Sequence, residues 1–263
     1  MAESLDHQIH LMKLQADRGK TFSKKLIQKA GVFSGASILD LGCGPGFSSI
    51  WLSQQVGNTG KIVGVDHSED FLEYMNLEIK KREIKNISCA KVDLNQDEVP
   101  SEKFDFVFAR RVLYFLKDSS KVIEKISKAL KPGGKIIIID FISTDNYFFP
   151  NSPIFKDFVQ KMEKWIALSG SNLGTTLELP SQLRLQGIAV EHLETFSEVV
   201  YTSSPENFEV YDLGFKRFAD RYVEQGLWNE TQRKNFLEKW TDMKSNPDAY
   251  IISVPELGIV AKQ

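Results

Sequence analysis

Along the first 140 residues the hydrophobic positions switch repeatedly between a helical spacing and short continuous runs. Residues 19–31 carry Phe22, Leu26, Ile27 and Ala30 at helical spacing, which predicts a helix stopped by Gly31. The run Ser37-Ile38-Leu39-Asp40-Leu41 predicts a strand leading into a glycine-rich turn, and Phe47 to Val56 predicts a helix stopped by Gly57. A second strand, Lys61 to Val65, ends at Asp66. Ser68 is placed to cap a helix with Phe71, Met75 and Ile79 on one face, where Glu69 and Asp70 suit the N-terminal dipole. A third strand, Ile87 to Val92, closes at Asp93, and Phe104, Phe106 and Phe108 begin a fourth. Asp118 caps a helix with Val122, Ile126 and Leu130 inward, ended by Lys131-Pro132-Gly133-Gly134. Ile136 to Ile139 show no polar alternation, as expected of a strand buried on both faces.

Five strands alternating with helices predict the α/β class: a doubly wound, mostly parallel sheet. The second half is less regular. Ile154 to Leu168 is amphipathic, Leu179-Pro180-Ser181 to Gly187 predicts a short helix, and Glu194 to Thr202 a strand. Tyr250 to Val254 and Gly258 to Ala261 are expected to form the closing strand. Between them Phe208, Tyr211, Phe215, Phe218 and Tyr222 recur at steps of 3, 4, 3 and 4, placing five rings on one helix face. Asn229 with Gln232 caps the next helix, which carries Phe236, Leu237 and Trp240. Such an aromatic stripe is either core or the wall of a site for an organic ligand; on the second reading Phe215, Phe218 and Tyr222 are the candidate substrate contacts.

Composition narrows the class. Hydrophobic residues make up 42% and charged residues 26%, enough apolar material for a sizeable core. The 33 basic and 35 acidic residues nearly cancel, with no long like-charge run, so no basic footprint points to nucleic acid. The two cysteines, Cys43 and Cys89, lack the spacing of a zinc site or a disulfide framework. No apolar run approaches 18 residues and the start lacks signal-peptide character, so a cytoplasmic protein without a membrane span is expected.

The chemistry sits in the turn after the first strand, Asp40-Leu41-Gly42-Cys43-Gly44-Pro45-Gly46. Glycines there allow a sharp turn and close approach of a ligand at the C-terminal edge of the sheet. A dinucleotide site wants G-x-G-x-x-G; here the spacing is G-x-G-x-G, Phe47 takes the place of the third dinucleotide glycine, and an acid precedes the loop. Asp40 repels phosphate and suits a cationic ligand. Asp66, at the second strand end, is positioned to accept both hydroxyls of an unphosphorylated ribose. Asp93, at the third, suits an exocyclic amine such as that of adenine, with the Leu94 backbone N–H offered to the ring.

With these residues in place the sequence resembles the class I S-adenosylmethionine-dependent methyltransferases, in particular the ubiquinone/menaquinone-biosynthesis type of the small-molecule branch. The resemblance runs from Ala30 to Asp140 and includes Ile38 to Gly46, Gly64-Val65-Asp66, Phe104 to Val107 and Leu130 to Gly134. It implies a Rossmann-like, seven-stranded sheet with helical lid insertions, in one domain over 1–263: N-terminal helices in 1–31, a cofactor-binding core at 36–142, and lid or acceptor-binding insertions at 143–178 and 203–248. It further implies S-adenosyl-L-methionine as cofactor, with Asp40, Gly42, Cys43, Gly44 and Gly46 beside the methionine moiety. Asp66 then serves the ribose, Asp93 and Leu94 the adenine, and Ala109 and Arg110 the methionine end, with His67 a cofactor contact beside Asp66. Gln15, in the leading helix, is a further contact of this kind.

Relatives frequently carry Leu-x-His after the fourth strand; this chain reads Arg111-Val112-Leu113-Tyr114-Phe115, so that histidine's role does not transfer. No catalytic residue is assigned: His192, Arg110, Arg111 and Tyr201 are the acid–base candidates, and each has a bland structural reading. A metal-dependent reaction is not expected, because Arg110 and Arg111 stand where a carboxylate ligand is needed. The expected function is methyl transfer to O, N or C of a small hydrophobic or aromatic acceptor. The alternatives are a catalytically silent cofactor-fold binding protein and an RNA methyltransferase.

Overall fold

The computed structural model describes residues 4–263. Contacts divide the chain into two compact units. The first comprises residues 4–140, Leu173–Thr195 and Leu257–Gln263, and the second Phe141–Asn172 and Phe196–Glu256.

The first unit is built on a seven-stranded sheet. Its strands are β1 (Ser37–Leu41), β2 (Lys61–Asp66), β3 (Ile87–Lys91), β4 (Phe104–Arg110), β5 (Leu130–Phe141), β7 (Ala189–Phe196) and β10 (Glu256–Lys262), in the order β3-β2-β1-β4-β5-β10-β7. The pairs β3–β2, β2–β1, β1–β4 and β4–β5 are parallel. Strand order reverses at β1 and β4, so the loops leaving their C-terminal ends diverge and open a crevice there, the place where such sheets bind ligands. This is the doubly wound, mostly parallel sheet that the alternation of elements predicts, with the seven strands and Rossmann-like order that the resemblance implies.

Helices α1 (Leu5–Ala30), α2 (Phe47–Val56), α3 (Glu69–Lys81), α4 (Ser119–Ala129) and α6 (Gly174–Leu185) complete this unit. Their ends follow the sequence signals. Ser68 Oγ accepts the Phe71 N–H at the start of α3, Asp118 accepts that of Lys121 before α4, and Gly31 closes α1 in the left-handed region. The Asp105 carboxylate accepts hydrogen bonds from the Ser37 N–H and hydroxyl, each at 2.8 Å, and from Lys131 at 2.9 Å, tying the starts of β1, β4 and β5 together. The Pro-Gly-Gly expected to end α4 lies instead inside β5, where a register shift opposite Phe104–Phe106 absorbs it.

The second unit packs α5 (Pro153–Leu168), α7 (Pro205–Glu224) and α8 (Glu230–Lys244) with a three-stranded sheet of β6 (Tyr147–Phe149), β9 (Tyr250–Ile252) and β8 (Val199–Tyr201), in that order and antiparallel throughout. Each short strand buries its central residue, Phe148, Ile251 or Val200. Two expectations change here. Glu194 to Thr202 is not one strand: the chain leaves the large sheet at Phe196, and Val199–Tyr201 joins the small one. Tyr250 to Ile252 also belongs to the small sheet, so Glu256–Lys262 alone closes the large one. The segment from 174, expected partly within an insertion, is helix α6 of the first unit.

The aromatic stripe of α7 turns inward. Phe215 packs against Phe148, Phe158, Tyr211 and Trp240, with ring centroids 5.0–5.7 Å apart. Tyr222 is fully buried, and its hydroxyl donates to the Phe158 carbonyl at 3.1 Å. The rings expected as substrate contacts are thus occupied by other side chains of the same unit: Phe215 and Tyr222 are core, for the elementary reason that three amphipathic helices share one apolar interior. Phe218 is half-buried against Trp165 and Tyr222. Asn229 and Gln232 form the expected capping box of α8.

Candidate active site

The residues between Asp40 and Gly46 turn the chain from β1 into α2 with Gly42, Gly44 and Gly46 all at positive φ. At two of them space matters as much as conformation. A Cβ on Gly42 would lie 2.6 Å from Val112, and one on Gly46 would lie 2.5 Å from Met75. The loop is therefore wedged between the β4 exit and α3, and no side chain fits either position. Cys43 belongs to the turn only through its backbone, donating to the Val65 carbonyl at 3.0 Å. Its thiol points into the core 3.8 Å from the Met75 sulfur, and burial pushes its pKa well up, so any ligand contact it makes is main-chain.

Two buried carboxylates flank the loop. Asp66 accepts the Gly44 N–H on Oδ2 and the Ser68 N–H on Oδ1, each at 2.9 Å. A carboxylate offers about four acceptor positions, so each oxygen keeps one for a further donor. His67 Nδ1 lies 3.4 Å from Oδ1 on an exposed side chain. Asp40 accepts the Ser49 hydroxyl at 2.5 Å and is 2% exposed. Burial first, and the neighbouring Asp66 charge with it, raises its pKa to about 7; Ser49 and Arg110 oppose that rise. Ser49 escaped sequence reasoning, although a serine nine residues after a strand-end aspartate falls in the following helix, within reach of that carboxylate.

Asp93 lies in the turn after β3 and is half-buried. It accepts the Asn95 N–H at 2.9 Å, the Asn95 amide at 3.3 Å and the Gln96 amide at 2.6 Å, and these bonds, the Asn95 backbone first, hold its pKa below the usual carboxylate range. Three acceptor positions are thus spent locally. Leu94 is buried beside it.

Ala109 is fully buried at the end of β4. The Arg110 guanidinium turns toward α1, donating from Nη2 to the Gln15 carbonyl at 2.8 Å and from Nη1 to that of Ala16 at 3.4 Å. Gln15 and Arg110 are therefore brought together, but through the Gln15 backbone. Arg111 follows at φ +58°, a left-handed conformation unusual for arginine. The turn is held by Asp140, fully buried at the end of β5, whose oxygens accept the N–H groups of Val112 and Leu113 at 2.8 and 3.0 Å. Asp140 is the site's largest omission from the sequence reading; an acid closing a strand of four isoleucines was its only signal. His192, on β7, pairs with Glu194 at 2.9 Å.

A Rossmann-like sheet with a glycine-rich first turn, flanked by acids at its first two strand ends, defines a nucleoside-cofactor fold. A methyltransferase domain family matches residues 33–189, more than half of the chain, and the chain belongs to that family. Among curated relatives, demethylmenaquinone methyltransferase of Staphylococcus saprophyticus is 29% identical over 150 residues, covering 57% of this chain and 61% of that protein. The Lactococcus lactis enzyme of the same name is 37% identical over 134 residues, half of each chain. The chain thus spans about half to three fifths of the length of these relatives. Among solved structures, an S-adenosylmethionine-dependent methyltransferase from Aquifex aeolicus aligns over 65% of this chain and 81% of its own, at 24% identity and a TM-score of 0.50. Phosphoethanolamine N-methyltransferase 2 of Haemonchus contortus, in complex with S-adenosyl-L-methionine, aligns over 92% of this chain and 52% of its own, at 19% identity and a TM-score of 0.57. The residues present fit that cofactor at one point: Asp66, beside the loop, keeps acceptor capacity on both oxygens for the hydroxyls of a ribose.

Proposed function

We propose that the protein is an S-adenosylmethionine-dependent methyltransferase acting on a small, apolar acceptor in the cytoplasm. Asp66, bonded to the loop yet with acceptor capacity remaining on both oxygens, carries the reading. It would hold the ribose hydroxyls, the backbone of Gly42 to Gly46 would lie along the methionine moiety, and Leu94 would meet the adenine. S-adenosylmethionine supplies an electrophilic methyl group on a sulfonium, so the protein's task is to align an acceptor and keep water out. Asp40, buried beside Arg110, supplies negative charge to a cationic ligand when ionised. The demethylmenaquinone methyltransferases among its relatives make a demethylmenaquinone the first acceptor to try.

Calorimetry tests the cofactor assignment. S-adenosylmethionine and its demethylated product should bind and NAD should not. Asp66→Ala should weaken binding by about 1.5–3 kcal/mol, the worth of hydrogen bonds to a charged acceptor. Unchanged affinity in that variant overturns the ribose role of Asp66.

A further inference from the structure

Helix α1 is held unequally along its length. Its C-terminal half is anchored by Phe22, Leu26 and Ile27, all buried, and Phe22 and Leu26 press against Gly258 of β10 so closely that a Cβ there would meet Leu26 at 2.4 Å. The N-terminal half buries only Ile9 and Leu11 among its apolar side chains, yet it lies on the cofactor loop: Met12 reaches Gly44, where a Cβ would lie 2.8 Å from the Met12 methyl carbon. Between the halves sits Gly19, in the interior of a 26-residue helix. Glycine there costs helix stability relative to alanine, and no turn or positive φ requires it. What occupies the missing side chain's place is Arg110. A Cβ on Gly19 would lie 1.8 Å from Nη2 and 2.5 Å from Cζ of that guanidinium.

We propose that Gly19 and Arg110 form a latch that holds the N-terminal half of α1 over the glycine-rich loop and so retains the bound cofactor. Arg110 is the positioning residue. Its guanidinium lies in the Gly19 notch and donates to the Gln15 and Ala16 carbonyls one turn earlier. Its own base is fixed by the Asp140 carboxylate, which pins the next turn through Val112 and Leu113. The latch spans the β4 exit and the leading helix, so opening it frees residues 5–18 while Phe22 to Ala30 stay packed. The retention role rests on the proposed cofactor site; the latch itself does not.

The test is a double-mutant cycle of Gly19→Ala and Arg110→Met, read by hydrogen exchange without ligand and by the dissociation rate of S-adenosylhomocysteine. In the wild-type background Gly19→Ala displaces the guanidinium. Exchange of amides 8–18 should speed up about tenfold, with 22–30 unchanged, and product dissociation should accelerate by a similar factor. In the Arg110→Met background the same substitution should reverse sign and slow exchange, because only the better helix propensity of alanine remains. A merely structural glycine gives the same sign in both backgrounds, and that result overturns the latch. Sign reversal in exchange with unaltered ligand dissociation leaves a latch with no retention role and refutes that part. If the wild type binds no S-adenosylhomocysteine, the proposed function and cofactor retention fail together, and the exchange arm still decides the latch.

Discussion

Asp40 sits in a site that disfavours its charge, and its titration therefore links pH to both stability and binding. Its pKa rises from the ordinary carboxylate value to about 7, chiefly through burial. Below about pH 4 the group is protonated in folded and unfolded chains alike and its contribution is fully present. As pH rises through 7 the folded protein must ionise a buried acid, and a contribution on the order of 4 kcal/mol is lost. Relative to Asp40→Asn, wild-type stability should fall between pH 4 and 8, as read by denaturant midpoints; parallel profiles would refute the shift. A cationic ligand acts in the opposite sense, because it favours the ionised carboxylate. S-adenosylmethionine affinity should therefore rise from pH 5.5 to 7 with proton release, whereas in Asp40→Asn both effects should shrink. The aspartates at the strand ends were legible from their spacing alone. The Ser49 hydroxyl that bonds Asp40, and Asp140 with its bonds to the Val112 and Leu113 N–H groups, were not, because those contacts depend on which helix and which neighbouring strand the fold brings alongside.

At the scale of elements, periodicity located the first unit well because strands buried on both faces and capped helices leave strong patterns. It failed where strands shrink to three residues. Tyr147–Phe149 shows no alternation long enough to read, and Val199–Tyr201 runs on from the preceding strand without a glycine or proline to mark the change of sheet. Periodicity alone finds α1 only from residue 19, fourteen residues after its start at Leu5, because Leu5 to Arg18 is mostly polar and buries few apolar side chains; only the resemblance, which implied helices in 1–31, covered that stretch. The aromatic stripe of α7 was read correctly as one face, but not what it faces. Phe215→Ala should cost about 3–5 kcal/mol, because the ring touches four aromatic neighbours that cannot all collapse into the void. Phe218→Ala should cost less, being half-buried. Once an acceptor is identified, the folded fraction of Phe215→Ala should keep the wild-type acceptor KM. A KM raised tenfold with unchanged melting temperature would instead return that ring to the binding site.

For the molecule as a whole, the distribution of charge bears on what kind of methyl transfer the proposed function would use. The formal net charge is −2, and among the described residues no helix is long and apolar enough to cross a membrane. Metal-assisted transfer needs several oxygen ligands gathered at neighbouring strand ends. Here the β4 end carries Arg110 and Arg111, and Asp140, at the adjacent β5 end, spends an acceptor position on each oxygen holding the Val112 and Leu113 N–H groups. Asp66 is likewise bonded to its own loop and Asp40 to Ser49. No group of three or more His, Cys, Asp or Glu side chains among the described residues has the arrangement to hold an ion. Turnover with any acceptor should consequently survive exhaustive chelation, with kcat and KM unchanged within about twofold, since alignment of the acceptor rather than Lewis acidity lowers the barrier. Activity abolished by a chelator and restored by Mg²⁺ would refute this. It would also require the β4 exit to rearrange, because two guanidinium-bearing residues now stand where a cation's ligands would have to be.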